Sequence, residues 1–152
     1  MSHEGGCECG AVRYRMTTDP ILVNCCHCLE CQRITGSAFA LNAMIETARV
    51  ELLAGRAVEH SLQRAGETTR AWRCGQCLTL LWSDHRKLGD GMRFVRIGTL
   101  DAASALAPDA HFFIRNKHPW VVIPDGIPAY ETLPTHGLGA HLPPDRKARL
   151  RS

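Results

Sequence analysis

Residues 24 to 36 read "NCCHCLECQRITG" and place four cysteines and a histidine within the seven positions from Cys25 to Cys31. Two further clusters carry Cys7 and Cys9 as C-x-C and Cys74 and Cys77 as C-x-x-C. Intervals this short let a turn aim two sulfurs at one ion, about 2.3 Å from each, without straining the backbone. Gly5, Gly6 and Gly10 flank the first cluster and Gly75 lies within the third, so each knuckle has residues that let it fold back on itself. Zinc ligation is the reading these spacings favour, ahead of a disulfide or redox framework and of an iron–sulfur cluster.

Ligand count separates two zinc sites. A structural zinc takes four protein ligands, and Cys7, Cys9, Cys74 and Cys77 together supply four thiolates that would staple the start of the chain to its middle. Cys26, Cys28 and Cys31 supply three, and three protein ligands with one vacancy are the usual arrangement of a catalytic zinc. The alternative is that Cys25 or His27 completes a second closed site. Adjacent side chains in an extended or turning segment point different ways, which turns Cys25 and His27 from an ion held by Cys26 and Cys28 and favours the open site.

An open zinc can lower the pKa of a bound thiol until the thiolate dominates near neutral pH, or polarise a carbonyl oxygen. Three thiolates already donate much charge to the ion and weaken it as a Lewis acid, so thiolate delivery is the better match. Arg33, two positions beyond Cys31, is a candidate partner for a substrate carboxylate, or a surface arginine closing a short helix. His27 is a candidate proton shuttle or hydrogen-bond partner for a sulfur, or a solvent-facing histidine. Gly36 and Ser37 either shape a pocket floor or end the helix. Trp120 lines a pocket or packs in the core; Asp125 and Gly126 read as a turn.

The elements that must position these residues are mostly strands. "AVRYRM" alternates Val12, Tyr14 and Met16 against Ala11, Arg13 and Arg15, as expected of a strand with one buried face. "FALNAMIE" and "RVELLAG" follow, Gly55 turns into "AVEHSLQ", and Gly66 turns before "TTRAWR". The C-x-x-C of Cys74 and Cys77 interrupts a hairpin that resumes at "LTLLWS", and "MRFVRIGTL" and "HFFIRN" read as two more strands. Short helices are expected around Glu30 to Ile34 and from Asp101 to Leu106. The last ten or so residues, with Pro143 and Pro144, read as a loose end.

The chain has 152 residues, 45% apolar and 22% charged, which fits one ordinary globular domain and excludes disordered and fibrous classes. No apolar run approaches the roughly 20 residues needed to cross a bilayer. "MSHEGGCECG" has neither the basic nor the apolar region of a secretion signal, so the chain reads as cytoplasmic, where thiols stay reduced. The net charge is +3 before metal; zinc on four thiolates and on three brings it near zero, so no strong nucleic-acid field is implied. The tail "DRKARLRS", with Arg146, Lys147, Arg149 and Arg151, lacks the aromatic residues of a base-stacking platform and reads as a solvated end.

Four ordered stretches, "GGCECGAVRY", "CHCLECQRITGSAF", "CGQC" and "NKHPWVVIPDGIPAYE", together resemble the glutathione-dependent formaldehyde-activating enzyme family, whose domain also occurs in a centromere-associated protein of animals. The resemblance runs from Gly6 to about Glu131. It implies a mainly β, β-tent fold of antiparallel sheets stapled by zinc, with few short helices. It implies two zincs per chain, a structural one on Cys7, Cys9, Cys74 and Cys77 and a second on Cys26, Cys28 and Cys31. It further implies a zinc-binding domain over residues 1–135 with a C-terminal extension over 136–152. The activity implied is that of a carbon–sulfur lyase, forming S-hydroxymethylglutathione from formaldehyde, with glutathione or another small thiol as partner. Leu78 departs from the pattern where members usually carry glycine, Glu8 departs where neutral residues or histidine are common, and Cys25 adds a competing C-x-x-C-x-x-C frame with Cys28 and Cys31.

Three function classes follow. The first is a zinc enzyme acting on a thiol–aldehyde adduct, with Cys26, Cys28 and Cys31 holding the working metal. The second is a binding module in which both zincs are structural. The third is a thiol redox sensor in which Cys25 to Cys31 release metal on oxidation. Oligomeric state is not fixed by the sequence, and a homo-oligomer is compatible with it.

Overall fold

The computed structural model describes residues 1–64, 66–85 and 88–150. The protein is mainly β, with ten strands and two short α-helices among the described residues. Its contacts divide it into two units, residues 1–20 with 43–105, and residues 21–42 with those from 106 onward.

The first unit is antiparallel. Strand β1 (His3–Gly6) pairs with β2 (Arg13–Met16). On its other edge β2 pairs with β5 (Val50–Ala54). The expected alternation is present: Val12, Tyr14 and Met16 are buried while Arg13 and Arg15 are half-exposed. The outward arginines form a charged strip, in which Arg13 grips Asp101 with both terminal nitrogens and Arg15 donates to Glu4 at 2.7 Å. Gly55 turns the chain out of β5 at φ +78°, and a β-carbon there would lie 2.2 Å from the Ala11 carbonyl oxygen, so only glycine fits.

A meander follows: β6 (Ala57–Arg64), β7 (Glu67–Cys74), β8 (Leu80–His85) and β9 (Gly89–Arg96), each antiparallel to the next. One face carries an aromatic stack in which the Arg93 guanidinium lies 5.2 Å from the Trp72 ring centre and 4.9 Å from that of Trp82. Trp82 meets the buried Tyr14 edge-on, and the Tyr14 hydroxyl bonds Thr99 Oγ1 at 2.7 Å.

In the second unit β3 (Leu22–Cys26) lies parallel to β10 (Ala110–Phe112), with Cys25 opposite His111 and Cys26 opposite Phe112. All five residues of β3 are buried, as parallel strands covered on both faces usually are. Asp109 anchors the pairing by accepting the Val23 N–H at 2.8 Å, and Arg146 Nη2 lies 2.8 Å from its other oxygen. Helix α1 (Leu29–Thr35) follows β3, ended by Gly36 in the left-handed region. Strand β4 (Ala40–Glu46) then carries the chain into the first unit, and α2 (Pro144–Arg149) lies near the C-terminus.

The expected elements differ from the structure at several places; the strand read through "MRFVRIGTL" ends at Arg96 before a 3-10 turn over Ile97–Thr99, and the tail read as a loose end carries α2. The alanine-rich stretch after Asp101 forms only a 3-10 turn over Ala103–Ala105 instead of a helix to Leu106. In "HFFIRN" the strand stops at Phe112, because Phe113 takes φ +56° and opens a 3-10 turn over Ile114–Asn116. Strands β1 and β3 were not expected: β1 holds two glycines, and β3 has no polar alternation to mark it. Arg151 of the basic tail lies outside the described residues.

Candidate metal centres

Three groups of thiol and imidazole donors form among the described residues. In each, the ligand atoms lie within 4.8 Å of one another, close enough to hold a metal ion.

The first joins Cys7, Cys9, Cys74 and Cys77. Its two pairs come from the turn after β1 and from the connection between β7 and β8, two knuckles of one unit. The sulfurs of Cys7 and Cys9 are 3.5 Å apart and those of Cys9 and Cys74 are 3.8 Å apart. Four thiolates around zinc at about 2.3 Å stand about 3.8 Å from one another, so this donor set fits that ion. Backbone amides point at the sulfurs: Val12 N–H donates to Cys7 at 3.2 Å, and the amides of Gln76 and Cys77 donate to Cys74 at 3.4 and 3.5 Å. Burial pushes the Cys7 thiol up, but the Val12 amide with the Cys9 and Cys74 thiols outweighs it and brings it down. The Thr79 hydroxyl accepts the Glu8 N–H at 3.2 Å and lies 3.1 Å from Cys77 Sγ, lowering that thiol to about 5. Leu78 sits at φ +63° with its N–H bonded to the Cys74 carbonyl at 3.1 Å.

The second group is Cys26, Cys28 and Cys31. Cys26 ends β3, Cys28 caps α1 and Cys31 lies in that helix's first turn. Cys28 takes the cap position with extended backbone, and its sulfur accepts the Cys31 N–H at 3.3 Å, so the residue that starts the helix also offers a ligand. Thiol contacts from Cys26 and Cys31, with the backbone amides of Cys31 and Glu30, hold the Cys28 thiol far below its ordinary value. The Cys26 and Cys31 thiols are pushed up by the same sharing. Gln32 fixes the segment by donating to the carbonyl oxygens of His27 at 2.8 Å and Asn116 at 3.0 Å. Cys28 and Cys31 are half-exposed, whereas Cys26 is buried.

The third group, Cys25, His27 and His111, was not anticipated. Cys25 and His27 do turn away from Cys26 and Cys28, but into the interior. The imidazole of His27 is wholly buried, and burial pushes it down to about 4. His111 reaches the group through parallel pairing across β3 and β10, a relation that spacing along the chain does not reveal. A histidine between apolar residues in "AHFF" is the only sequence signal for it.

Other candidates fall where the structure can place them. Arg33 is exposed in the last turn of α1. Gly36 ends that helix at φ +63°, its N–H bonded to the Gln32 carbonyl. Trp120 is 71% exposed, so it is neither core nor enclosed; it stacks on His118 with ring centres 5.2 Å apart. Gly126, next to Asp125, occupies a turn at φ +84°.

These cysteine groups lie within residues 2–116, the stretch that matches the family described as "Glutathione-dependent formaldehyde-activating enzyme". The chain belongs to this family. A Halomonas elongata protein named "Putative glutathione-dependent formaldehyde-activating enzyme" is 29% identical over 129 residues, which span 79% of this chain and 80% of that protein. A Rhodobacter sphaeroides protein of known crystal structure is 19% identical, with a TM-score of 0.49 over 65% of this chain and 88% of that one. Among the described residues of this family member, no helix is long and apolar enough to cross a membrane.

Proposed function

We propose that the protein is a zinc-dependent enzyme of the carbon–sulfur lyase type, acting on the adduct of a small thiol, glutathione first, with an aldehyde such as formaldehyde. Cys7, Cys9, Cys74 and Cys77 hold a structural zinc and Cys26, Cys28 and Cys31 a second, working zinc. The reading is carried by one observation: Cys26, Cys28 and Cys31 form a three-sulfur group of their own, and the nearest alternative ligands in sequence, Cys25 and His27, belong to a different group. Three protein ligands leave a coordination position for substrate. Family membership supports the substrate class.

When bound there, zinc supplies a position at which a thiol ionises near neutral pH or a carbonyl oxygen is polarised. The chain does the positioning. The Cys31 amide and the start of α1 orient Cys28, Gln32 ties the His27 carbonyl to that of Asn116 in the segment after β10, and the half-exposure of Cys28 and Cys31 leaves this side open to a small molecule. Arg33 provides a cation one turn along the same helix for a peptide carboxylate.

Metal content on protein purified without added zinc tests the reading, measured alone, after a mild chelator, and after the chelator with glutathione present. Two zincs per chain are expected, one resistant and one removable unless glutathione protects it. Two equally resistant zincs indifferent to glutathione would overturn it in favour of a scaffold whose function lies on its surface.

A further inference from the structure

The interior of the second unit holds a donor set that the proposed lyase chemistry does not use. Strand alternation sends Cys26 to one face of β3 and Cys25 to the other. His111, opposite Cys25 across the parallel pair, and His27, two residues on, share Cys25's side. The His27 Nε2 atom lies 3.5 Å from Cys25 Sγ and 2.9 Å from His111 Nδ1. Cys25 is 1% exposed, His27 0% and His111 6%. Phe39 closes the group with its ring centre 5.4 Å from that of His27.

Hydrogen bonding alone accounts for this arrangement poorly. The Nε2 atom of His27 carries at most one proton, so it cannot donate to both the sulfur and the second imidazole. Among the described residues its buried Nδ1 has no hydrogen-bond partner. Three lone-pair donors brought within 4.8 Å of one another in a buried interior are better matched by a cation among them.

We propose that Cys25, His27 and His111 form a separate buried metal site that takes one copper(I) ion. Donor type and charge choose the ion. One thiolate and two neutral imidazoles suit soft or borderline metals. Copper(I) with one thiolate makes a neutral unit, whereas zinc(II) would leave a net positive charge in the interior, where uncompensated charge is expensive. Zinc in closed sites also takes four ligands, and this group has three. Binding releases one proton, that of the Cys25 thiol, and changes no oxidation state. With metal–nitrogen bonds of about 2.0 Å the two imidazole nitrogens would open by about half an ångström.

The test uses the full chain as purified, with zinc in its cysteine groups, and one equivalent of copper(I) presented as a chelator complex. The wild type is expected to withdraw one copper without releasing zinc. Copper-edge X-ray absorption should then show one sulfur and two imidazole nitrogens, a shell that neither all-cysteine group can provide. Cys25→Ala and His111→Gln should each weaken uptake at least ~100-fold, more than loss of an outer hydrogen-bond partner does. No copper uptake, uptake matched by zinc release, a sulfur-only copper shell, or uptake unchanged in His111→Gln would overturn the proposal. Should either variant fail to fold, the wild-type absorption spectrum decides alone.

Discussion

Cys25 and Cys26 are neighbours in the chain, yet their sulfurs belong to different donor groups, one with His27 and His111 and the other with Cys28 and Cys31. The cause is the pleat of β3, which is buried on both faces and points successive side chains to opposite sides. One short cysteine-rich segment thereby feeds two chemically distinct sets, and the competing frame of Cys25, Cys28 and Cys31 is not the one that assembles.

The two all-cysteine groups should respond differently to loss of a ligand. Cys74 is buried, accepts two backbone amides and ends strand β7 of the hairpin. Cys74→Ser is expected to lower the melting temperature by at least ~10 °C, since a structural metal contributes directly to folding. Cys28→Ser keeps a good N-cap, because a serine oxygen accepts the Cys31 amide as the sulfur does. It should move the melting temperature by only ~2 °C or less while abolishing turnover and the chelator-sensitive zinc. Equal melting curves for wild type and Cys74→Ser would contradict this division.

Leu78 should be a site of relievable strain. Its φ of +63° lies in the left-handed region, which costs a residue with a β-carbon roughly 1–2 kcal/mol. The side chain is 52% exposed, so little burial is lost on truncation. Glycine gives back part of the gain through its freer unfolded state. Leu78→Gly is therefore expected to stabilise the protein by about 0.5–1 kcal/mol, read as a higher urea midpoint at unchanged slope. A lower midpoint would show that the Leu78 side chain contributes packing of its own.

Local patterns carried most of what was legible in the sequence. β2 announces itself because one face is buried and the other is charged. The C-x-C and C-x-x-C pairs announce themselves because each pair closes within one turn. What stayed hidden depends on pairing over long separations. β3 is buried on both faces and, with Asn24 as its one polar residue, reads as no period at all, and its partner β10 lies more than eighty residues later and runs parallel. The place of His111 beside Cys25 follows from that register alone. His27 reads from the sequence as a shuttle or sulfur partner or as a solvent-facing residue, and its burial follows only from the pairing of β3 with β10.

The pairing of Asp101 with Arg13 gives stability a defined acid limb. The guanidinium holds the Asp101 carboxyl below its ordinary value of 3.8. Between the two values the folded chain binds fewer protons than the unfolded chain, so the contribution is complete above pH 3.8 and fades as pH falls through the lower, folded value. The melting-temperature difference between wild type and Asp101→Asn should be constant from pH 5 to 7 and shrink below about pH 4. Both side chains are partly solvated, so added salt should reduce it as well. A difference that persists undiminished in acid would assign the effect to packing.

Arg93 holds the opposite kind of pair. Its guanidinium lies against the rings of both Trp72 and Trp82 and 3.8 Å from Asp84, with side chains only 15% and 7% exposed. Burial, the leading influence, pushes the Asp84 carboxyl up, while Arg93 and the more exposed Arg70 pull it down. Arg93→Ala removes two cation–ring contacts and leaves Asp84, among the described residues, with Arg70 at 3.6 Å, for an expected cost of about 3 kcal/mol. Arg93→Lys restores the charge without the planar face and should recover about half of that loss. Without Arg93 the Asp84 carboxyl rises further. A raised carboxyl contributes less stability as pH climbs through its folded value, so the deficit of Arg93→Ala should be larger at pH 7.5 than at pH 4.5 in urea titrations. A deficit independent of pH would leave the ring contacts as its whole source and Asp84 as a bystander.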